Sequence, residues 1–194
     1  MRTLIALSLC CLLGLTLLTG CAANLAAKKR VDGHLAAGAR LAVLPFENLS
    51  GTDRASEKVT EFFQIALTGR KEFTTIEYGT IYEGLRRFRI RSATLITEEQ
   101  IDSLAAFLNV DYLVAGSVLE YEEINNVYLG TVPQVSFNSR LISCAEHKTV
   151  WVGSSNGRGD KGEVAFGIGT VRSADRLAES MTQKAVSEIS DLFD

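Results

Sequence analysis

The sequence predicts an α/β fold: one domain with a mixed, mostly parallel sheet flanked by helices, an antiparallel hairpin and a C-terminal helix. Three observations predict it. Leu41–Phe46 and Asp111–Leu119 are near-continuous apolar runs, the composition of strands buried on both faces. Helical-period stripes lie between and after them: Val59, Phe62, Phe63, Ala66 and Leu67, then Ile101, Leu104, Ala105 and Leu108, then Ala174 to Leu192. From Gln134 to Leu141 apolar and polar residues alternate. A turn signal and a second short apolar run follow, which is the pattern of a hairpin with one wetter face.

Taken in order, Leu41–Phe46 is the first core strand, ended by Pro45 and by the turn Asn48-Leu49-Ser50-Gly51. A helix is expected from Thr52 or Asp53 to a stop at Gly69. Phe73–Tyr78 has strand composition, so strand, helix and strand imply a right-handed parallel crossover. A short helix from Gly79 to Phe88 buries Ile81 and Leu85. Thr97-Glu98-Glu99-Gln100 reads as a capping box opening the next helix, and Asn109 suits its left-handed stop. Asp111–Leu119 is the central strand, with Gly116 a place where another backbone approaches closely. Acidic Glu120, Glu122 and Glu123 lead to a turn at Asn125-Asn126. Glu146-His147-Lys148 turns the hairpin into Thr149–Val152, with His147 expected to be solvated. The glycine-rich stretch from Gly153 to Gly169 reads as a flexible loop, and the final helix starts at Ser173.

Ahead of the domain, Arg2 precedes an apolar run from Leu4 to Leu18 that closes on Leu18-Thr19-Gly20-Cys21. The run is within the range of a signal-peptide core and shorter than the ~20 residues a spanning helix needs. Leu18 to Cys21 resembles the lipobox of bacterial lipoproteins. The resemblance implies cleavage between Gly20 and Cys21, a diacylglyceryl group on the Cys21 sulfur and acylation of its new amine. Ala22, in place of the aspartate that retains such proteins in the inner membrane, implies the periplasmic face of the outer membrane. The expected division is therefore 1–20 leader, 21–39 lipid-anchored tether and 40–194 folded domain. The tether's Lys28-Lys29-Arg30 is either a contact for anionic headgroups or a solvated linker.

Composition narrows the function. The 194 residues carry a formal charge of −3. The first 20 hold Arg2 and no acid, so the remaining 174 stand at −4. A mildly acidic, exported chain is a poor partner for nucleic acid. Of four cysteines, Cys10 and Cys11 leave with the leader and Cys21 is taken by lipid. Cys144 then stands alone, best read as a buried structural thiol.

The most basic stretch, Arg86-Arg87-Phe88-Arg89-Ile90-Arg91, is the candidate partner-docking patch, for an acidic protein, peptidoglycan carboxylates or lipid phosphates. The favoured reading is a solvated edge whose arginines pair with Glu83, Glu98 and Glu99, since charge runs are usually solvated. Gly157-Arg158-Gly159-Asp160-Lys161-Gly162 has dinucleotide-fingerprint spacing but lacks a helical stripe behind it. Gly153-Ser154-Ser155-Asn156-Gly157 has nucleophile-elbow spacing. Its Ser155 would need a later histidine, whereas His34 and His147 both precede it. No metal-ligand spacing is present, and Glu120, Glu122 and Glu123 read as a solvated sheet end. No cofactor is expected beyond the lipid on Cys21.

Leu41-Ala42-Val43-Leu44-Pro45-Phe46-Glu47-Asn48, Val110 to Val118 and the phrase Arg140-Leu141-Ile142 resemble a group of envelope proteins. These are the TolB amino-terminal domain, the curli-assembly channel lipoproteins and the activator lipoproteins of penicillin-binding proteins. The resemblance spans about Arg40 to Leu192 and implies a mixed sheet flanked by helices. It implies a non-enzymatic assembly, adaptor or activator module, with an envelope protein or peptidoglycan as partner and homo-oligomers within its range. The alternatives are a subunit of a curli-type secretion channel and an envelope serine hydrolase using Ser155. The segments Glu122–Val135 and Gly153–Val171, which correspond to the channel's membrane strands, are short and polar here, against a pore.

Overall fold

In the computed structural model, residues 28–30, 35, 38–127, 130–161 and 170–193 are described. The strands are β1 (Lys28–Arg30), β2 (Ala39–Val43), β3 (Glu47–Asn48), β4 (Phe73–Thr75), β5 (Tyr112–Asn126), β6 (Gly130–Ser143) and β7 (Lys148–Arg158). The helices are α1 (Ala55–Thr68), α2 (Tyr78–Arg87), α3 (Glu98–Leu108) and α4 (Ala174–Ser190). The sheet order is β1-β7-β6-β5-β2-β4, with β3 also paired to β5.

The two doubly apolar runs lie side by side, as their composition requires. β2 pairs with β5 in parallel, Leu41 opposite Tyr112 and Val43 opposite Val114. Because side chains alternate, each strand feeds two cores. Leu41, Val43, Val114 and Val118 lie under α1 and α4, with Phe63, Leu67, Phe137, Trp151, Val186 and Ile189. Ala42, Leu44, Leu113 and Ala115 lie under α2 and α3, with Ile81, Leu85, Leu104 and Leu108. The first core is knitted by aromatics. Phe46 stacks on Phe63 at 4.8 Å between centroids, and Phe63 meets Phe137 edge-on at 5.7 Å.

The sheet is mixed, with helices on both faces, an antiparallel hairpin and a terminal helix, as the sequence predicts. β2–β4, β2–β5 and β3–β5 are parallel; β5–β6, β6–β7 and β1–β7 are antiparallel. The capping box of α3 is present: Thr97 Oγ1 accepts from the Gln100 N–H, and the Gln100 side chain accepts from the Thr97 N–H. Asn109 closes the helix at φ 51°.

Several bounds differ. α1 starts at Ala55 because Thr52 spends its hydroxyl on the Tyr121 carbonyl at 2.6 Å and Arg54 turns left-handed at φ 61°. β4 ends at Thr75, and Tyr78 already belongs to α2. β5 continues past Leu119 to Asn126 after a register shift between Val118 and Glu120.

The largest correction concerns Gly153 to Arg158, which are strand and not loop. Their small residues make room for neighbours. A Cβ on Gly157 would lie 2.6 Å from Met181 Sδ of α4, and one on Gly153 would lie 2.4 Å from the Trp151 ring. Close packing thus has the composition of a loop. Lys28–Arg30, expected in the tether, is an edge strand antiparallel to Gly153–Trp151. The leader 1–20, the cleavage residues Gly20 and Cys21, and residues 162–169 lie outside the described residues.

Gly116 has the close approach its position predicts. A Cβ there would stand 2.3 Å from the Asn138 carbonyl and 2.3 Å from the Phe46 ring. Gly116→Ala is therefore expected to destabilise by about 1–3 kcal/mol, read from the urea midpoint. Gly79→Ala, with nothing within 4 Å of its Cβ, should leave stability unchanged or raise it by up to ~1 kcal/mol.

Candidate interaction surface

The arginine-rich stretch is held by α2 and the turn behind it. Ile81, Gly84 and Leu85 face the core, leaving Tyr78, Tyr82, Arg86 and Arg87 in solvent. Gly84 lets α3 come close, since a Cβ there would meet Leu104 at 2.7 Å. The Arg87 guanidinium lies over the Phe107 ring at 5.4 Å, and Phe88 meets Phe107 edge-on at 5.9 Å. Arg89 is left-handed at φ 54°. That turn buries Ile90, whose N–H donates to the Leu85 carbonyl at 2.9 Å, and keeps Arg89 and Arg91 outside.

The next loop is pinned to the sheet. Ser92 donates its hydroxyl to the Glu47 carboxylate, and the Leu95 N–H donates to Ser92 Oγ at 3.1 Å. Arg140, from β6, donates to the Thr94 carbonyl at 2.8 Å and to the Ala93 carbonyl at 3.4 Å. The Ser92 hydrogen bond, then that of Thr94, hold the Glu47 carboxyl below its usual range. The arginine-rich stretch is therefore held at Arg87 and Phe88 and again in the loop that follows it.

All four candidate residues, Arg86, Arg87, Arg89 and Arg91, are exposed. Among the described residues none of them forms an ion pair with a carboxylate. The expected partner Glu98 instead lies 3.9 Å from His147 Nδ1, and Asp102 lies 2.6 Å from His147 Nε2. His147 is thus tied to α3 and is not the freely solvated imidazole the turn suggests. Guanidinium groups offer paired donors matched to carboxylate or phosphate oxygens. Tyr78 and Tyr82, with rings 5.4 Å apart, add an exposed aromatic edge on the same helix.

The other candidates do not assemble chemistry. Ser155 sits within β7 opposite Phe137, without the strand–turn–helix of an elbow. Gly157 and Arg158, the start of the dinucleotide pattern, are in the same strand. Glu120 accepts from Gln134 at 2.9 Å and Glu123 from the Ala174 N–H at 3.4 Å, so the carboxylates are parted by structural duties. No group of three metal-ligating side chains occurs among the described residues. Burial pushes the Cys144 thiol up to about 12, which suits a structural residue.

One polar cluster escaped the sequence. Lys58 of α1 holds Asp175 of α4 at 2.8 Å, and Tyr121 of β5 donates to the same carboxylate. The Lys58 bond, then the Tyr121 bond, keep the Asp175 carboxyl low. Lys58 and Tyr121 are 117 and 54 positions from Asp175, so only the fold unites the three.

No family model matches the chain, and no curated protein sequence matches it. Solved structures do share its fold. PelC from Paraburkholderia phytofirmans, solved as a dodecamer, overlays at TM-score 0.58 and 17% identity, over 85% of this chain and 96% of that one. Lipoprotein GNA1162 from Neisseria meningitidis overlays at TM-score 0.55 and 19% identity, over 79% and 99%. The hypothetical protein CT253 from Chlamydia trachomatis gives 0.52 and 14%, over 81% and 98%. The fold is thus one that a bacterial lipoprotein also has.

Asp175 and Glu47 titrate lower in the folded chain than in the unfolded one. Their contribution is present above the ordinary carboxylate range, about pH 4, and is lost as pH falls through their folded values. Stability measured by urea should therefore decline below about pH 5. Asp175→Asn and Glu47→Gln should each flatten that decline while lowering stability at pH 7. The Asp175 pair is half-exposed, so its share is small.

Proposed function

We propose that this chain is a lipoprotein of the outer membrane, held on the periplasmic face by acylated Cys21. It works by contact and without turnover, as an assembly, adaptor or activator module. The observation that carries this reading is Leu18-Thr19-Gly20-Cys21 closing an apolar run that starts behind Arg2. Hydrocarbon chemistry makes such an anchor firm, since each buried methylene contributes ~0.8 kcal/mol and two or three chains are attached. The shared fold with a solved lipoprotein supports the reading. So does the resemblance of Leu41–Asn48 and Val110–Val118 to the TolB, curli-channel and penicillin-binding-protein-activator group. Among the described residues no helix is long and apolar enough to cross a membrane.

The working surface in this reading is the face of Arg86, Arg87, Arg89 and Arg91, and the partner presents carboxylates or phosphates. A second reading, a ring-forming subunit, is favoured by one observation: the similarly folded PelC was solved as a dodecamer. Light scattering of the detergent-extracted chain separates the two, a mass of many copies favouring the ring.

Mass spectrometry of the mature chain from a bacterial host should find Cys21 at the amino terminus carrying a thioether-linked diacylglyceryl group. Cys21→Ser should leave the domain folded and free of membranes. A leader still attached, or an unmodified Cys21 sulfur, would overturn the proposal.

A further inference from the structure

Helix α2 leaves two tyrosines in solvent beside the arginines. Ile81, Gly84 and Leu85 take its core side, while Tyr78 and Tyr82 remain 36% and 51% exposed. Arg86, also exposed, follows Tyr82 at the same spacing by which Tyr82 follows Tyr78. Residues so spaced stand one above the next along a helix. The two rings do meet, with centroids 5.4 Å apart and planes 59° to each other. α2 thus carries an exposed ridge of two phenol rings and then a guanidinium. Arg87, the next residue, packs on Phe107 of α3.

Charge is graded along the ridge. Glu77 precedes Tyr78. The Tyr78 phenol titrates above its usual range, through burial first and then through Tyr82 and Glu57, which brings Glu57 of α1 close to it. Exposed Glu83 lies one turn before Arg86 and Arg87. The Tyr78 end is therefore acidic, and the other end leads into Arg87, Arg89 and Arg91. From Glu77 to Arg91 two carboxylates stand against four guanidiniums, which leaves the stretch at +2. Among the described residues none of the four arginines is ion-paired. A bare polyanion would engage the guanidiniums and leave the rings unused. Tyrosine and arginine together are the side chains that carry most binding energy between proteins, since a rigid ring offers a large contact at little entropic cost.

We propose that the ridge of Tyr78, Tyr82 and Arg86 docks an acidic polypeptide segment, whose carboxylates meet the arginines while an adjoining apolar side chain covers the two rings. This rests on the reading of the arginine stretch as the working surface and adds what that surface selects. The carboxylates of the segment lie at the Arg86 end only, because at the Tyr78 end Glu57 and Glu77 repel them.

The test uses the lipidated mature chain in detergent micelles, with binding read by fluorescence anisotropy. The probes are a synthetic peptide with leucine and phenylalanine beside a run of glutamates, the same peptide with serine at those apolar positions, and polyphosphate. The apolar acidic peptide is expected to bind about ten-fold or more tightly than either other probe. Tyr78→Ser with Tyr82→Ser should erase that margin and leave the serine peptide's affinity unchanged, in a chain that still unfolds cooperatively in urea. Tyr82→Ser alone, at the more exposed position, should reduce the margin. Arg86→Glu should weaken both peptides. Equal affinity for the two peptides, or a margin that survives the tyrosine changes, overturns this inference and leaves the arginine surface standing. Polyphosphate bound as tightly as the apolar peptide also overturns it, in favour of a phosphate-bearing partner. If no acidic probe binds, or Arg86→Glu changes nothing, the arginine surface and this inference fall together.

Discussion

Strand β5 is the constraint from which the rest of the structure follows. It accepts β2 and β3 in parallel on one side and β6 in antiparallel on the other. Its first residues are apolar on both faces, Leu113 and Ala115 toward one core, Val114 and Val118 toward the other. A strand so placed needs helices on both sides, and the chain supplies α1 and α4 for one, α2 and α3 for the other. Gly116 sits in the middle because Phe46 and the β6 backbone both occupy the space a Cβ would need. Past the irregularity at Val118 the strand changes character. It carries the polar Glu120, Glu122 and Glu123 and pairs with β6 as far as Asn126 and Gly130.

What was legible in the sequence is what periodicity and local chemistry encode. The runs at Leu41 and Asp111 are strands, the stripes at Val59, Ile101 and Ala174 are helices, and Thr97 with Gln100 caps as spelled. Gly153 to Arg158 has the composition of a loop because a strand packed under a helix needs small residues, and small residues also make loops. Met181 and Leu177 supply the bulk that β7 lacks. Lys28–Arg30 carries no strand signal because an edge strand of three residues has no period to detect.

The candidate surface was legible as charge and illegible as geometry. Four arginines in six residues announce themselves. The exposure of Arg89 and Arg91 on either side of buried Ile90 goes with the left-handed Arg89, which no local signal gives. Arg140 illustrates the same limit. In the sequence it is a family-like phrase with its two apolar neighbours. In the fold its guanidinium holds the carbonyls of Ala93 and Thr94, and so steadies the loop beside the arginine face. The Lys58–Tyr121–Asp175 tie likewise joins residues that only tertiary structure brings together.

The far half of β5 carries the carboxylates Glu120, Glu122 and Glu123, and α2 with the turn behind it carries the guanidinium cluster. The central claim is that the cluster is where the protein meets its partner. Photo-crosslinking in intact cells tests it most directly, with a photoreactive residue placed at Arg87 and, for comparison, at exposed Lys148. The account predicts a discrete adduct from position 87, abolished by Arg89→Glu and Arg91→Glu in a chain that remains folded, and none from position 148. An adduct that survives those reversals, or equal capture from both positions, would contradict it.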